Sequence, residues 1–292
     1  MSESMSPMSR VLLVDKPVGP TSFDVVRRAR RGFGGRVGHG GTLDPFATGL
    51  LLILIGQATR LSQLLLGLPK EYEVTVQFGA TSSTGDPTGT ISRSGGRIEK
   101  VALLGVLDGF RGDIVQRVPL TSAVKVGGEA LYKKAHRGET AETPERQVSI
   151  YDLCLLDFDE PAQTGTILAV TGSGTYLRVL AQDLGAVLGV GGFALALRRT
   201  RIGRFSVSEA LGLEELTADR YEAGGPGVLD LDQALAGLPA LELGEAAARL
   251  AANGNQLSVR QQGRFRVYGQ GRLLGVYEAK AGVARPLVVL PA

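Results

Sequence analysis

The chain has 292 residues, 43% hydrophobic and 21% charged, which is ordinary globular composition and enough for one large domain plus a small one. Lys and Arg exceed Asp and Glu by 32 to 29, a mild basic bias that permits a polyanionic partner. A single cysteine, Cys154, excludes an intrachain disulfide and a cysteine-based zinc centre, and no apolar run reaches the ~18 residues of a membrane span. Residues 1–10 lack the apolar centre of a signal peptide, so a soluble cytoplasmic chain is expected.

In chain order, residues 1–9 read as a disordered tail, and 11–14 as a short apolar strand that ends in Asp15-Lys16-Pro17. Thr21 caps a helix, with Asp24 completing a capping box; Phe23, Val26, Ala29 and Phe33 mark its apolar face. Residues 50–55 are continuously apolar and fit either a buried strand or a helix piece. Residues 57–66 look helical, 71–78 alternate as a strand, and 81–89 form a loop rich in Gly, Ser, Thr and Asp. An amphipathic helix is expected over 98–110, irregular chain over 116–128 and a basic helix over 129–137. Two strands follow at 148–158 and 164–170. Next come a helix at 175–188, with Leu177, Leu180, Leu184, Val187 and Leu188 inward, and a strand at 193–197. This irregular alternation points to an α+β fold with a mixed sheet. After Gly224-Gly225-Pro226-Gly227 a helix over 229–238 is expected to lead away from the body, toward a small β-rich module with one short helix. Cys154 reads as a small buried hydrophobe.

The stretch Gly38-His39-Gly40-Gly41-Thr42-Leu43-Asp44-Pro45-Phe46-Ala47-Thr48-Gly49 concentrates the chemistry: four glycines, one of two histidines, and a carboxylate in front of a proline. On spacing alone Asp44 reads as a helix N-cap with Pro45 at the first helical position; the alternative is an extended residue at a loop end. Arginines cluster at 27, 28, 30, 31 and 36 and again at 198, 199, 201 and 204; a solvated helix face explains either cluster alone. No Walker loop, nucleophile elbow or complete dinucleotide loop occurs, and His39 and His136 are too far apart for a zinc motif. What remains is an aspartate, arginines and tyrosines.

An ordered series of motifs resembles the TruB family of tRNA pseudouridine synthases. It begins with Val14-Asp15-Lys16-Pro17-x-Gly19-x-Thr21-Ser22 and the stretch around Asp44, and continues with Lys70-Glu71-Tyr72 and Phe110-Arg111-Gly112-Asp113-Ile114-x-Gln116. Ser122-Ala123-Val124-Lys125-x-x-Gly128-x-x-Leu131-Tyr132, Gly172-Ser173-Gly174-Thr175-Tyr176-Leu177-Arg178 and Leu197-Arg198-Arg199 complete it. Asn253-Gly254-Asn255-Gln256-Leu257 is similar to the opening of a PUA RNA-binding module. Two departures stand out: Thr121 where the family usually carries tyrosine, and Gly40 where it carries threonine.

The resemblance implies a pseudouridine synthase fold, a bent, largely antiparallel mixed sheet with a central cleft, plus a PUA-like module. It implies a tail at 1–9, a catalytic domain at 10–234 with an RNA-gripping insertion near 120–145, and an RNA-binding domain at 235–292. The activity implied is conversion of uridine to pseudouridine in the T-loop of tRNA, at the position conventionally numbered 55, by base flipping. Neither cofactor nor metal is implied. Asp44 would be the nucleophile, Arg178 its partner, and Tyr72 the residue that stacks on the base and exchanges a proton. Tyr176 and Leu197 would line the base pocket, His39 would hold the loop open, and Lys16 would join the substrate-binding set. Partners would be the T-arm and acceptor stem of tRNA, with the protein a monomer. Rival readings are a synthase of this type acting on ribosomal RNA, which would be expected to carry a long basic tail that this chain lacks, and a tRNA-binding or folding protein. Taken singly, Tyr72, Tyr176 and Leu197 pass for core residues and Arg178 for a surface one; the order of the whole series argues otherwise.

Overall fold

The computed structural model describes residues 9–291. Residues 1–8 of the expected tail lie outside that range, whereas Ser9 is docked: its hydroxyl accepts from the Gln57 amide at 2.8 Å.

In chain order the elements begin with β1 (Arg10–Lys16), α1 (Ser22–Phe33), β2 (Val37–His39), β3 (Thr48–Ile55), α2 (Ser62–Leu66) and β4 (Lys70–Phe78). There follow β5 (Ala80–Ser82), β6 (Ile91–Arg93), α3 (Lys100–Leu107), β7 (Gly112–Arg117), β8 (Lys125–Val126), β9 (Glu129–Ala130) and α4 (Leu131–His136). Next are β10 (Glu145–Asp159), β11 (Thr164–Thr171), α5 (Leu177–Val187), β12 (Gly192–Ile202), β13 (Phe205–Ser206), α6 (Ala218–Ala223), β14 (Val228–Leu229) and α7 (Leu231–Ala234). The C-terminal part holds β15 (Ala240–Leu243), α8 (Glu245–Ala252), β16 (Leu257–Ser258), β17 (Gly263–Gly269), β18 (Arg272–Lys280) and β19 (Val283–Val289).

A ten-stranded mixed sheet runs β14-β1-β3-β12-β4-β11-β10-β7, with β2 and β13 attached at its flanks. Its centre is a parallel junction between β12 and β3, where Arg198 and Arg199 face Thr48 and Gly49; the strands beside it pair antiparallel. The apolar run 50–55 is a strand, because its two faces feed two cores. Leu50, Leu52 and Leu54 pack with Leu61, Leu65 and Phe205, while Leu51, Ile53 and Ile55 pack with Val25, Val26 and Ala29 of α1. A strand covered on both faces has no polar side, so periodicity alone cannot identify it. A third core joins Tyr72, Val74 and Val76 of β4 to Leu177, Leu180 and Leu184 of α5 and to Leu43 and Ala47 of the loop between β2 and β3.

The capping box holds: Thr21 Oγ1 accepts from the Asp24 amide at 3.1 Å, and Asp24 Oδ2 accepts from the Thr21 amide at 2.8 Å. Several other expectations are corrected. Phe23 lies off the buried face of α1 and is 58% exposed; Val25 takes its place. Val187, at the end of α5, is 63% exposed. Residues 57–66 start as a 3-10 turn over Gly56–Leu61 before α2, and the helix expected over 98–110 is limited to α3 and a following 3-10 turn. Residues 116–128 begin in β7 and end in the β8–β9 hairpin. Residues 229–238 do not lead away: β14 pairs with β1, and Ala234 and Leu235 are buried beside Val11 and Leu13. Cys154 is half-buried, its thiol near the Asp152 carboxylate at 3.5 Å. The second arginine cluster lies on and just beyond β12, and Arg199 there is 1% exposed.

The C-terminal sheet, β15-β17-β18-β19-β16, has its own core around Phe265, Val267 and Tyr277. Val276, Val288 and Leu290 point instead into the core that contains Val11 and Leu13.

Gly49 is the tightest point of the central junction. Its φ is +101°, and a Cβ there would lie 2.2 Å from the Arg199 carbonyl oxygen. Gly19, with φ +108°, has open space around it. Gly19→Ala is therefore expected to cost about 1 kcal/mol for its backbone conformation alone. Gly49→Ala is expected to cost at least ~2 kcal/mol more, because backbone atoms must also move. Urea unfolding of the two variants measures the difference; equal costs would mean that the junction yields easily.

Candidate active site

The segment between β2 and β3 is a locked loop. The Ala47 amide donates to the Asp44 carbonyl at 3.1 Å, so Asp44 and Pro45 open a β-turn and no helix follows. Thr48 enters β3 only four residues after Asp44, which leaves no room for the helix that an N-cap requires. Ser22, at the start of α1, grips Leu43 from both sides: its hydroxyl accepts from the Leu43 amide at 2.8 Å and donates to the Leu43 carbonyl at 3.0 Å. The Gly40 amide donates to Leu52 O at 2.8 Å, and that of Gly19 to Pro45 O at 2.9 Å.

Two buried cations complete the lock. Arg199 donates from Nε to Leu50 O at 2.7 Å, from Nη2 to Gly41 O at 3.0 Å and from Nη1 to Thr42 O at 3.3 Å. Its guanidinium also sits 6.0 Å from the ring centre of Tyr72. Lys16 is 0% exposed, and its Nζ donates to Pro17 O and Pro20 O at 2.9 Å and to Pro45 O at 3.4 Å. Burial lowers the Lys16 pKa to about 8, opposed by the nearby Asp44 charge and assisted by Arg199. Its ammonium is thus committed to the loop backbone.

The side chain of Asp44 is 35% exposed and meets that of Arg178, in the first turn of α5, which is 4% exposed. Arg178 Nε donates to Asp44 Oδ2 at 2.9 Å, and Nη2 to Oδ1 at 3.4 Å, a two-pronged pair. The remaining corner, Nη1, donates to Thr84 O at 2.8 Å and to the Thr121 hydroxyl, and lies 3.5 Å from Asp86 Oδ2. The carboxylate of Asp86 is fixed in turn through Oδ1, which accepts from Thr84 Oγ1 at 2.8 Å, from the Thr88 amide at 3.0 Å and from the Thr88 hydroxyl. One guanidinium thus bridges an accessible carboxylate and a buried one.

Tyr72 and Leu197, 8% and 7% exposed, belong to the core that includes Leu43 and Ala47 under the loop. Tyr176 immediately precedes α5; its backbone is clamped by Gln116, which accepts from the Tyr176 amide at 3.0 Å and donates to its carbonyl at 3.2 Å. His39 Nδ1 accepts from the Gly41 amide at 3.3 Å, and burial, then Arg199, lowers the histidine pKa. Tyr72 and Arg199 are paired on neighbouring strands, whereas Tyr176 and His39 precede Arg178 and Asp44 in sequence by a few residues and make no direct hydrogen bond to the pair.

Arg199, Asp86 and Thr121 were missing from the expected site. Arg199 and Thr121 stood within or beside the quoted motifs, but nothing in a strand-edge arginine or a loop threonine signals a carbonyl-capping or guanidinium-capping role. Asp86 sat in a segment that reads as an ordinary polar loop. Among the described residues no group of three or more His, Cys, Asp or Glu is placed to hold a metal ion, and no helix is long and apolar enough to cross a membrane.

The family model described as TruB family pseudouridylate synthase, N-terminal domain, matches residues 28–177, and that of the tRNA pseudouridylate synthase B C-terminal domain matches 178–236. The tRNA pseudouridine synthase B of Cupriavidus metallidurans is 41% identical over 94% of this chain and 92% of its own. That of Aquifex aeolicus is 38% identical over 96% and 98%. Among solved structures, a chain of a Cbf5-Nop10-Gar1 complex is similar in fold, with a TM-score of 0.72, 24% identity and coverage of 97% of this chain and 85% of that one. The second, curled sheet matches the PUA-like part of that architecture. The chain belongs to the TruB family of pseudouridylate synthases.

Proposed function

We propose that this protein isomerises uridine to pseudouridine in the T-loop of tRNA, at the position numbered 55, with Asp44 as nucleophile. The single observation that carries the assignment of Asp44 is its paired carboxylate: accessible enough to reach a substrate, and aimed by a buried arginine on a loop that cannot swing. The reaction exchanges the N1–C1′ bond for a C5–C1′ bond; N1 gains a proton and C5 loses one, so no redox partner is required. The target base is stacked inside a folded loop and is flipped out to be reached. Asp44 attacks the flipped nucleotide and holds one fragment covalently while the uracil turns. Tyr72 receives the base face and exchanges the proton, with Tyr176 and Leu197 forming the walls of the pocket. Arg178 keeps the carboxylate pointed, since a fork donor fixes direction. Lys16 and Arg199 hold the loop, and His39 keeps its opening in shape.

In this reading residues 10–234 form the catalytic domain, with the insertion near 120–145 gripping the RNA, and residues 235–292 the RNA-binding module that meets the acceptor stem. The chain works as a monomer in the cytoplasm.

The decisive experiment is mass spectrometry of T-loop fragments after incubation with unmodified tRNA. Wild-type protein converts the uridine; Asp44→Asn binds the tRNA about as tightly and converts none of it. Arg178→Lys keeps the charge but loses the fork, and its single-turnover rate is expected to fall roughly 100-fold or more. Conversion by Asp44→Asn at the wild-type rate would overturn the mechanism.

A pH experiment tests His39. Because its folded pKa lies below the ordinary 6.5, the unfolded chain binds the proton more tightly. The associated stability is complete above about pH 6.5 and is lost as pH falls toward the folded pKa. Between about pH 7.5 and about pH 5 the wild type should lose more of its urea midpoint than His39→Gln does. Identical losses would remove His39 from the acid response.

A further inference from the structure

Arg178 has two faces of contact. Nε and Nη2 serve Asp44, and Nη1 serves the opposite side. The guanidinium is planar, so fixing Nη1 also fixes the plane in which the other two nitrogens meet the carboxylate. Nη1 carries two protons. One goes to Thr84 O at 2.8 Å and the other to the Thr121 hydroxyl, while Asp86 at 3.5 Å acts through charge.

The two direct acceptors come from different parts of the chain. Thr84 lies just after β5, whereas Thr121 belongs to the segment that leads into the β8–β9 hairpin and α4. That segment is anchored to the hairpin and helix by backbone bonds, from the Tyr132 amide to Ser122 O at 2.9 Å and from the Leu131 amide to Val124 O at 2.8 Å. A further bond, from the Val118 amide to Pro144 O at 2.9 Å, closes its base. Val118 and Leu131 are 0% exposed and Ser122 is 4% exposed, so the backbone on both sides of Thr121 is held.

We propose that Thr121 is a positioning residue of the reaction: its hydroxyl sets the plane of the Arg178 guanidinium, and through it the aim of the Asp44 carboxylate, from the frame of the 120–145 insertion. The inference rests on the proposed function of the Asp44–Arg178 site. The Thr121 hydroxyl bonds to Arg178 and not to the Asp44 carboxylate, so its loss is expected in the chemical step and not in the hold on RNA.

Thr121→Val removes the hydroxyl at nearly constant shape, and Thr121→Ser keeps it. With enzyme in excess over a T-arm stem-loop, Thr121→Val should lower the single-turnover rate roughly 10-fold or more, because a hydrogen bond to a charged group is lost and the nucleophile is misaimed. RNA affinity should stay within about twofold, and the Thr121→Ser rate within about threefold, of wild type. In an Arg178→Lys background, which already lacks the fork, Thr121→Val should slow the reaction by less than about threefold. A wild-type rate in Thr121→Val, a Thr121→Ser as slow as Thr121→Val, a loss confined to RNA affinity, or full additivity with Arg178→Lys would each overturn the proposal. A wild-type protein that makes no pseudouridine on any tRNA defeats the proposed function itself, and this inference with it. One that turns over leaves that function standing whatever Thr121→Val does.

Discussion

The loop that carries Asp44 depends on one buried arginine. Arg199 sits where β12 and β3 run parallel, with the Gly49 backbone pressed against its own, and its guanidinium caps carbonyls of Gly41, Thr42 and Leu50. Loop carbonyls with no ladder partner are costly when buried, and a fork donor satisfies several at once. The charge is itself costly to bury, and the carbonyl dipoles and the nearby Tyr72 ring offset part of that cost. The loop that presents Asp44 is therefore tied by hydrogen bonds to the sheet beneath it.

A second consequence is electrostatic. After burial, the Arg199 charge helps to lower the pKa values of Lys16, His39 and Lys70. These groups are tolerated because backbone oxygens surround the two lysines and because the histidine stays neutral and accepts a hydrogen bond. Asp44 raises the pKa of Lys16, so its carboxylate is also a counter-charge for that buried cation. On its other side Arg178 is shared with Asp86, so the arginine is held from both sides. The cations are thus held by protein groups and do not compete with one another for the Asp44 carboxylate.

The C-terminal sheet is less independent than its size suggests. Phe265, Val267 and Tyr277 give it a core of its own, but Val276, Val288 and Leu290 complete the core that β1 and β3 begin. Removing it would uncover apolar surface on the large sheet as well as remove basic groups.

The local chemistry of the chain was legible from sequence. The capping box at Thr21, the strand alternation of β4, the helix at α5 and the C-terminal β-rich module follow from patterns within a few residues, where periodicity and cap chemistry act. The order of the motifs also identified the family, and the Asp44–Arg178 pair that the resemblance implied is present. Tertiary structure decided what local signals leave degenerate. The run 50–55 is a strand because two separate cores cover its faces, and Asp44 opens a turn because β3 begins too soon for a helix. Arg199 is buried and Phe23 exposed, against the usual preference of each residue type, because carbonyls 149 to 158 positions away in sequence wait for the guanidinium, while the Phe23 ring lies off the buried face of α1 beside the Arg27 guanidinium. Asp86 and Thr121 enter the site only through Arg178, a residue more than fifty positions from either, and contacts of that range leave no mark in the spacing of a sequence.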